Sequence, residues 1–369
     1  MCLAQPTVFP EASRVDIHEY ARALAQLGVT VHVIVSEDRS IPCPGLTVHA
    51  LGFPPRNDPF SWLRFARTAR AVLQRLAREA RLALVHLFNP SPATFLLGRM
   101  LARAQPRPVI VYDLRTGGLG RGPDALLINA MARGAARFAD RIVALTPGLG
   151  CALLGENAAC THVPLGVDLD AFRLAPAPPG EDYAFVYAGT LSPNRRLARM
   201  IEAFARVARE DGRARLRIAG DGGDRGRLEA LVGARGLGSR VTFLGRLDHA
   251  RIPAVLAAAH CGLAYVPREP WFEAQPQLKT LEYFAAGLPV VAVRTQGNVD
   301  YWDGLPAALL TADDPDSYAE GMRFALANRA TLRGADFRRV AERHSWLRVA
   351  RDTLIPLYAE LTAGAAGSR

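Results

Sequence analysis

Two hydrophobic patterns alternate along the chain. Short, solid apolar runs read as strands buried on both faces, and longer stretches with an apolar residue every three or four positions read as helices. A brief apolar run opens the chain, followed by a loop at Thr7–Ser13, a helix over Val15–Leu27 that Gly28 ends, and a strand at Val29–Val35. Leu82–Leu87, Pro108–Tyr112 and Arg141–Leu145 read as further strands, separated by helical spacing at Ala93–Ala104 and Asp124–Ala139. Thr146 and Pro147 supply the cap and first position of the next helix.

The Pro- and Ala-rich run Leu174–Gly180 breaks the pattern. Strand Tyr183–Gly189, helix Leu197–Glu210, helix Arg251–Ala259, strand Gly262–Val266 and helix Pro315–Asn328 then follow, with a terminal helix at Trp346–Leu361. Strands joined by crossover helices form parallel sheets, so the expectation is two doubly wound α/β domains. The division expected is 1–172, 173–345 and a terminal helix, 346–369, returning to the first domain.

Composition narrows the function. The chain has 369 residues, 50% of them hydrophobic, enough for two cores. Its apolar runs, Leu288–Val293 for example, are too short to span a bilayer. Met1-Cys-Leu-Ala-Gln-Pro shows no basic region before an apolar one, so no signal peptide is expected. Five cysteines, at 2, 43, 151, 160 and 261, form no Cys-x-x-Cys pair and fit free thiols in a reducing cytoplasm. A net charge of +10 invites anionic partners. Without an aromatic-interleaved basic run, nucleic acid is not expected among them. The stretch Trp62–Ala83 carries an apolar stripe beside Arg64, Arg67, Arg70, Arg75, Arg78 and Arg81. It is either a surface helix with a solvated arginine face or a peripheral contact with the anionic inner face of a membrane.

The candidate chemistry concentrates in Glu273-Ala-Gln-Pro-Gln-Leu-Lys-Thr-Leu-Glu-Tyr-Phe-Ala-Ala-Gly-Leu-Pro-Val-Val-Ala292. Pro276 suits a first helical position, Gly287 the residue past a helix end, and Leu288–Val293 a buried strand. Lys279 and Glu282, three apart, share one face. Lys279 is the sole lysine in the chain and sits in the first turn, where the helix dipole disfavours a cation unless an anion joins it. Two loops add candidates. Thr190-Leu-Ser-Pro-Asn-Arg-Arg196 links a strand and a glycine to a helix, the makings of a phosphate site. Tyr112-Asp-Leu-Arg-Thr-Gly-Gly-Leu-Gly120 begins at a strand end, where Asp113 and Arg115 either position substrate or form a buried ion pair. Gly220 and Gly222 suggest a dinucleotide fingerprint, but position 225 is arginine and the spacing fails.

The pattern Pro-x-x-Lys-x-x-Glu-Tyr-x-x-x-Gly-x-Pro-Val-Val resembles the donor-binding helix of GT-B glycosyltransferases, especially glycosyltransferase family 4. The resemblance covers nearly the whole chain and is strongest over 183–304. It implies the GT-B architecture, two Rossmann-like domains facing a cleft, and retaining transfer of a sugar from a nucleotide sugar, UDP-linked by preference, to a hydroxyl. The acceptor classes it admits are a lipid-linked saccharide, a polysaccharide or a natural product. It assigns Lys279 to the donor diphosphate and Glu282 to the ribose. Gln277 and Leu278 stand beside Lys279. Gly189, Thr190, Arg195 and Arg196 lie at the phosphates, and Arg246 and Leu247 beside the base. On the acceptor side it places Tyr112, Asp113 and Arg115. Lys279, Arg195 and Asp113 are the candidates for catalysis. No metal and no cofactor beyond the nucleotide sugar are expected, since no Asp-x-Asp pair ends a strand. The chain departs from the family pattern at Tyr112 (usually histidine), Thr190 (arginine), Arg196 (glycine) and Ala274 (glutamate), and its first loop, Phe9–Arg14, lacks glycine. These departures keep two alternatives open: an inactive nucleotide-sugar-binding subunit, and a nucleotide-sugar 2-epimerase.

Overall fold

The structure, a computed structural model, describes residues 2–4, 12–36, 43–53, 58–79, 82–115, 122–156, 159–174, 176, 178–302, 304–332 and 334–367. The expected first loop therefore lies largely outside the described residues, as does the end of the 112–120 stretch. The chain forms two compact units, one of residues 1–166 with 346–369, the other of residues 167–345.

The first unit is built on a parallel sheet of seven strands: β1 (Cys2–Ala4), β2 (Val31–Val35), β3 (Leu46–Ala50), β4 (Leu84–Phe88), β5 (Val109–Leu114), β6 (Arg141–Ala144) and β7 (Thr161–His162). Their order, β3-β2-β1-β4-β5-β6-β7, reverses between β1 and β4. β3 has no counterpart in the sequence reading, because its half-buried residues alternate weakly as an outermost strand's do. The arginine-rich helix spans Pro59–Glu79, starting three residues before Trp62. Asp58 accounts for the earlier start: its carboxylate accepts from the Ser61 backbone N–H at 2.8 Å, and Pro59 opens the first turn. Phe65, Ala66, Ala69, Leu73 and Leu76 are buried along this helix, while Arg64, Arg67, Arg75 and Arg78 are exposed. No helix among the described residues is long and apolar enough to cross a membrane. Residues 346–367 run helically through a wider turn at Ala350–Leu354. The Trp346 ring lies so close to Gly166 that a Cβ there would sit 2.2 Å from it.

The second unit carries a parallel sheet of six strands: β8 (Tyr183–Ala188), β9 (Ala214–Ala219), β10 (Val241–Gly245), β11 (Cys261–Ala264), β12 (Val290–Val293) and β13 (Leu310–Thr311). Its order is β10-β9-β8-β11-β12-β13, so the winding reverses between β8 and β11. Both sheets are thus doubly wound, and ligands in such sheets bind beyond the carboxyl ends of the strands at the reversal. Tyr283 ties that region together: it is fully buried, its ring fills the space left by Gly262, and its hydroxyl accepts from the Ala188 backbone N–H at 2.7 Å.

Candidate functional site

The helix carrying Lys279 spans Leu278–Ala285, two residues shorter than its pattern suggests. Gln277, with extended backbone, takes the cap position, so Pro276 stands before the cap and not inside the helix as expected. Its fixed φ serves the entry to the turn. At the other end Gly287 has φ +77°, the left-handed conformation expected of the residue past the end. Lys279 is the second helical residue, in the turn whose backbone N–H groups have no partner within the helix.

The Lys279 side chain reaches back to the end of β8. Its ammonium sits 4.0 Å above the Tyr187 ring, the residue is 9% exposed, and Nζ has no hydrogen-bond partner among the described residues. Gly189 makes room for it: a Cβ at that position would lie 2.7 Å from Nζ. Gly220 is constrained in turn, since a Cβ on it would meet the Gly189 carbonyl oxygen at 1.9 Å. Burial drives the Lys279 pKa well below 10.5, the nearby Arg195 charge lowers it further, and Glu282 offsets only part of that. A cation above one aromatic face, beside a second cation and lacking a counter-ion contact, is an incomplete arrangement. An anion is the kind of partner such an arrangement lacks.

Arg195 belongs to the same cluster. Its guanidinium lies 3.4 Å from the Gln277 side-chain oxygen and stacks over the Phe272 ring at 5.6 Å. Arg196 turns away to an ion pair with Glu269. Its φ of +49° is left-handed, a conformation that glycine adopts without strain. Thr190 is exposed, and its carbonyl accepts from the Tyr187 hydroxyl at 3.3 Å. Leu278 is half-buried at the helix start. Arg246 is exposed and Leu247 half-buried, just beyond β10. Glu282 is 7% exposed, and its Oε1 lies 2.8 Å from Nε2 of His249, a residue the sequence reading did not single out. Lys279, Arg195, Gln277, Gly189 and Glu282 therefore converge at the strand ends of the second unit.

In the first unit, Asp113 and Arg115 form the buried ion pair, 2.8 Å between Arg115 Nη2 and Asp113 Oδ2. His86, from the neighbouring strand β4, joins it: Nε2 donates to Asp113 Oδ2 at 3.1 Å, while Nδ1 accepts from the Tyr358 hydroxyl at 2.6 Å. Burial lowers the His86 pKa, so the imidazole is neutral and has one proton to donate. Burial alone would raise the Asp113 pKa, but Arg115 and His86 outweigh it and hold the carboxyl below its ordinary value. Asp113 Oδ1 is buried and accepts from no described residue. Tyr112 requires a correction. As a neighbour of Asp113 on a strand it points to the opposite face, where it is fully buried edge-on against Phe138 and offers a substrate no surface. The sequence reading also missed Asn89. It follows β4 at the point where the strand order reverses, in left-handed conformation (φ +61°), with its buried side-chain oxygen unpartnered.

The comparisons with known proteins agree with this architecture. A family model described as "Glycosyl transferases group 1" matches residues 182–328, and one described as "Glycosyl transferase 4-like domain" matches 12–166. The chain is 31% identical over 211 residues to a GDP-mannose-dependent alpha-(1-6)-phosphatidylinositol dimannoside mannosyltransferase of Mycobacterium tuberculosis, covering 53% of this chain and 51% of that protein. It thus spans about half the length of that relative. Over 349 residues it is 28% identical to a 2-deoxystreptamine glucosyltransferase of Streptomyces kanamyceticus, covering 83% and 87% of the two chains. Among solved structures, sucrose-phosphate synthase of Thermosynechococcus elongatus superposes with a TM-score of 0.80 at 20% identity, over 98% and 99% of the chains.

The electrostatics of Lys279 generate a stability prediction. Its folded-state pKa is depressed, so the folded state binds fewer protons than the unfolded one between that pKa and 10.5, and stability rises with pH across that window. Lys279→Met, which replaces the buried ammonium by an apolar side chain of similar length, should raise stability near neutral pH by about 1–3 kcal/mol. The gain should shrink as pH approaches 10.5. Denaturant titration of both proteins at several pH values measures this, and a destabilised Met variant at neutral pH would contradict it.

Proposed function

The chain belongs to the GT-B glycosyltransferases of the family 4 type, and we propose that it transfers a sugar from a nucleoside diphosphate sugar to a hydroxyl acceptor. The observation that carries this reading is the unpartnered ammonium of Lys279, buried against Tyr187 and Gly189 beside Arg195. As the bond from sugar to phosphate lengthens, negative charge gathers on the departing diphosphate. The ammonium, the guanidinium and the Leu278 and Lys279 backbone N–H groups at the helix start are already in place to meet it. None of them has to reorganise during the reaction, and each interaction strengthens as the charge develops.

Glu282, one turn further along the same face, is suited to accept a hydrogen bond from a ribose hydroxyl while the diphosphate rests on the helix start. We take the donor to be UDP- or GDP-linked; the M. tuberculosis relative is named for GDP-mannose. The two curated relatives are named for a phosphatidylinositol mannoside and for an aminocyclitol, so we take the acceptor to be a hydroxyl on a saccharide or cyclitol ring. Transfer retains anomeric configuration, as the family does; the anomeric proton coupling of the product reads this, and an inverted product would refute it.

Transfer assays over a panel of UDP-, GDP- and dTDP-sugars test the proposal. Lys279→Ala should lower kcat by about 10²–10³-fold. Lys279→Arg should not restore it, because the ammonium already fills the space beside Gly189. Glu282→Ala should chiefly raise the donor KM. Near-normal turnover in Lys279→Ala would remove the ammonium from the reaction.

A further inference from the structure

Glu282 does not stand alone at the place proposed for the ribose. His249 begins the short turn His249–Arg251 beyond β10, the outermost strand, and its Nε2 meets Glu282 Oε1 at 2.8 Å. An ionised carboxylate only accepts, so His249 Nε2 carries the proton. A second contact fixes the plane of the ring: it packs edge-to-face on buried Phe172, with centroids 5.6 Å apart and planes at 67°. The imidazole is therefore held on one side by an aromatic wall and on the other by the carboxylate.

This arrangement decides what Glu282 can present to a ligand. The terminal torsion of a glutamate is broad and roughly two-fold, so an untethered carboxylate exchanges its oxygens and samples many orientations. With Oε1 engaged by His249, the carboxylate plane is set, and Oε2, to which no described residue donates, is the oxygen available. We propose that His249 is a positioning residue for the donor: by holding Oε1 it aims Oε2 at a ribose hydroxyl. The proposal rests on the reading of Glu282 as the ribose contact. It explains why the turn after the outermost strand, β10, reaches the helix that follows β11, linking two elements that are not neighbours in the sheet. A hydrogen bond of ordinary strength is worth up to about tenfold in affinity.

Calorimetric titration with UDP, GDP and inorganic pyrophosphate separates the roles, because pyrophosphate has no ribose. His249→Ala should weaken the better-bound nucleoside diphosphate about tenfold and leave pyrophosphate affinity unchanged. His249→Gln, whose amide N–H can donate in the same place, should recover most of the loss. In turnover, His249→Ala should raise the donor KM with little change in kcat. The proposal is overturned if His249→Ala binds the nucleotide as the unmodified protein does, if it loses pyrophosphate equally, or if Gln fails to rescue. Glu282→Ala distinguishes the levels: weakened nucleotide binding there, with none in His249→Ala, removes only the role of His249. Unchanged nucleotide binding in Glu282→Ala removes the ribose contact itself and His249 with it, as does failure of the unmodified protein to bind either nucleotide.

Discussion

A single ammonium is held out of water at the carboxyl edge of the second sheet with an aromatic face beneath it and no hydrogen-bond acceptor at its nitrogen. A lysine in that state costs folding free energy, because the cation loses its hydration and the Tyr187 quadrupole returns only part of it. Arg195 nearby makes the charged form less favourable still. The cost is tolerable where an anion completes the site during function, and such trade-offs between stability and activity concentrate at binding sites.

The surrounding structure reads as the support for that ammonium. The winding of the second sheet reverses between β8 and β11, which opens the ground beyond their carboxyl ends. Gly189 then leaves the volume that Nζ occupies, and Gly220 leaves room for the Gly189 backbone itself, so two absent side chains set the position of one charge. Tyr283, on the same helix as Lys279, anchors that helix to β8 through the Ala188 N–H. The helix start and the strand end are thereby fixed relative to each other. The first unit holds a different kind of polar cluster: Asp113, Arg115, His86 and Tyr358 bond to one another, with Asp113 Oδ1 left without a partner among the described residues.

How much of this was legible in the sequence follows from how local each feature is. The helix over 278–285 and its glycine stop were readable because proline, spacing and Gly287 lie within one stretch of twelve residues. The isolation of Lys279 was readable because every other basic residue is arginine. The doubly wound architecture followed from alternation of solid apolar runs with helical spacing, although strand ends moved by up to two residues. β3 escaped because an outermost strand lacks the solid apolar run of its inner neighbours. His249 and His86 escaped for another reason. Their partners, Glu282 and Asp113, lie 33 and 27 residues away, and only the fold brings them within hydrogen-bond reach. Tyr112 was misplaced because a motif position says nothing about which face of a strand the residue takes. Arg196 is the converse case, where a departure from the family's glycine is accommodated by a strained left-handed backbone and an ion pair to Glu269.

The most direct measurement uses the fact that the chain has one lysine. Protein labelled with ¹⁵N at lysine Nζ has a single side-chain signal, that of Lys279, and its titration can be followed by NMR with and without inorganic pyrophosphate. The expected midpoint lies well below 10.5 in the free protein and moves upward when pyrophosphate binds, as an anion neighbour stabilises the charged form. A midpoint at the ordinary lysine value, unmoved by pyrophosphate or by any nucleoside diphosphate, would contradict it.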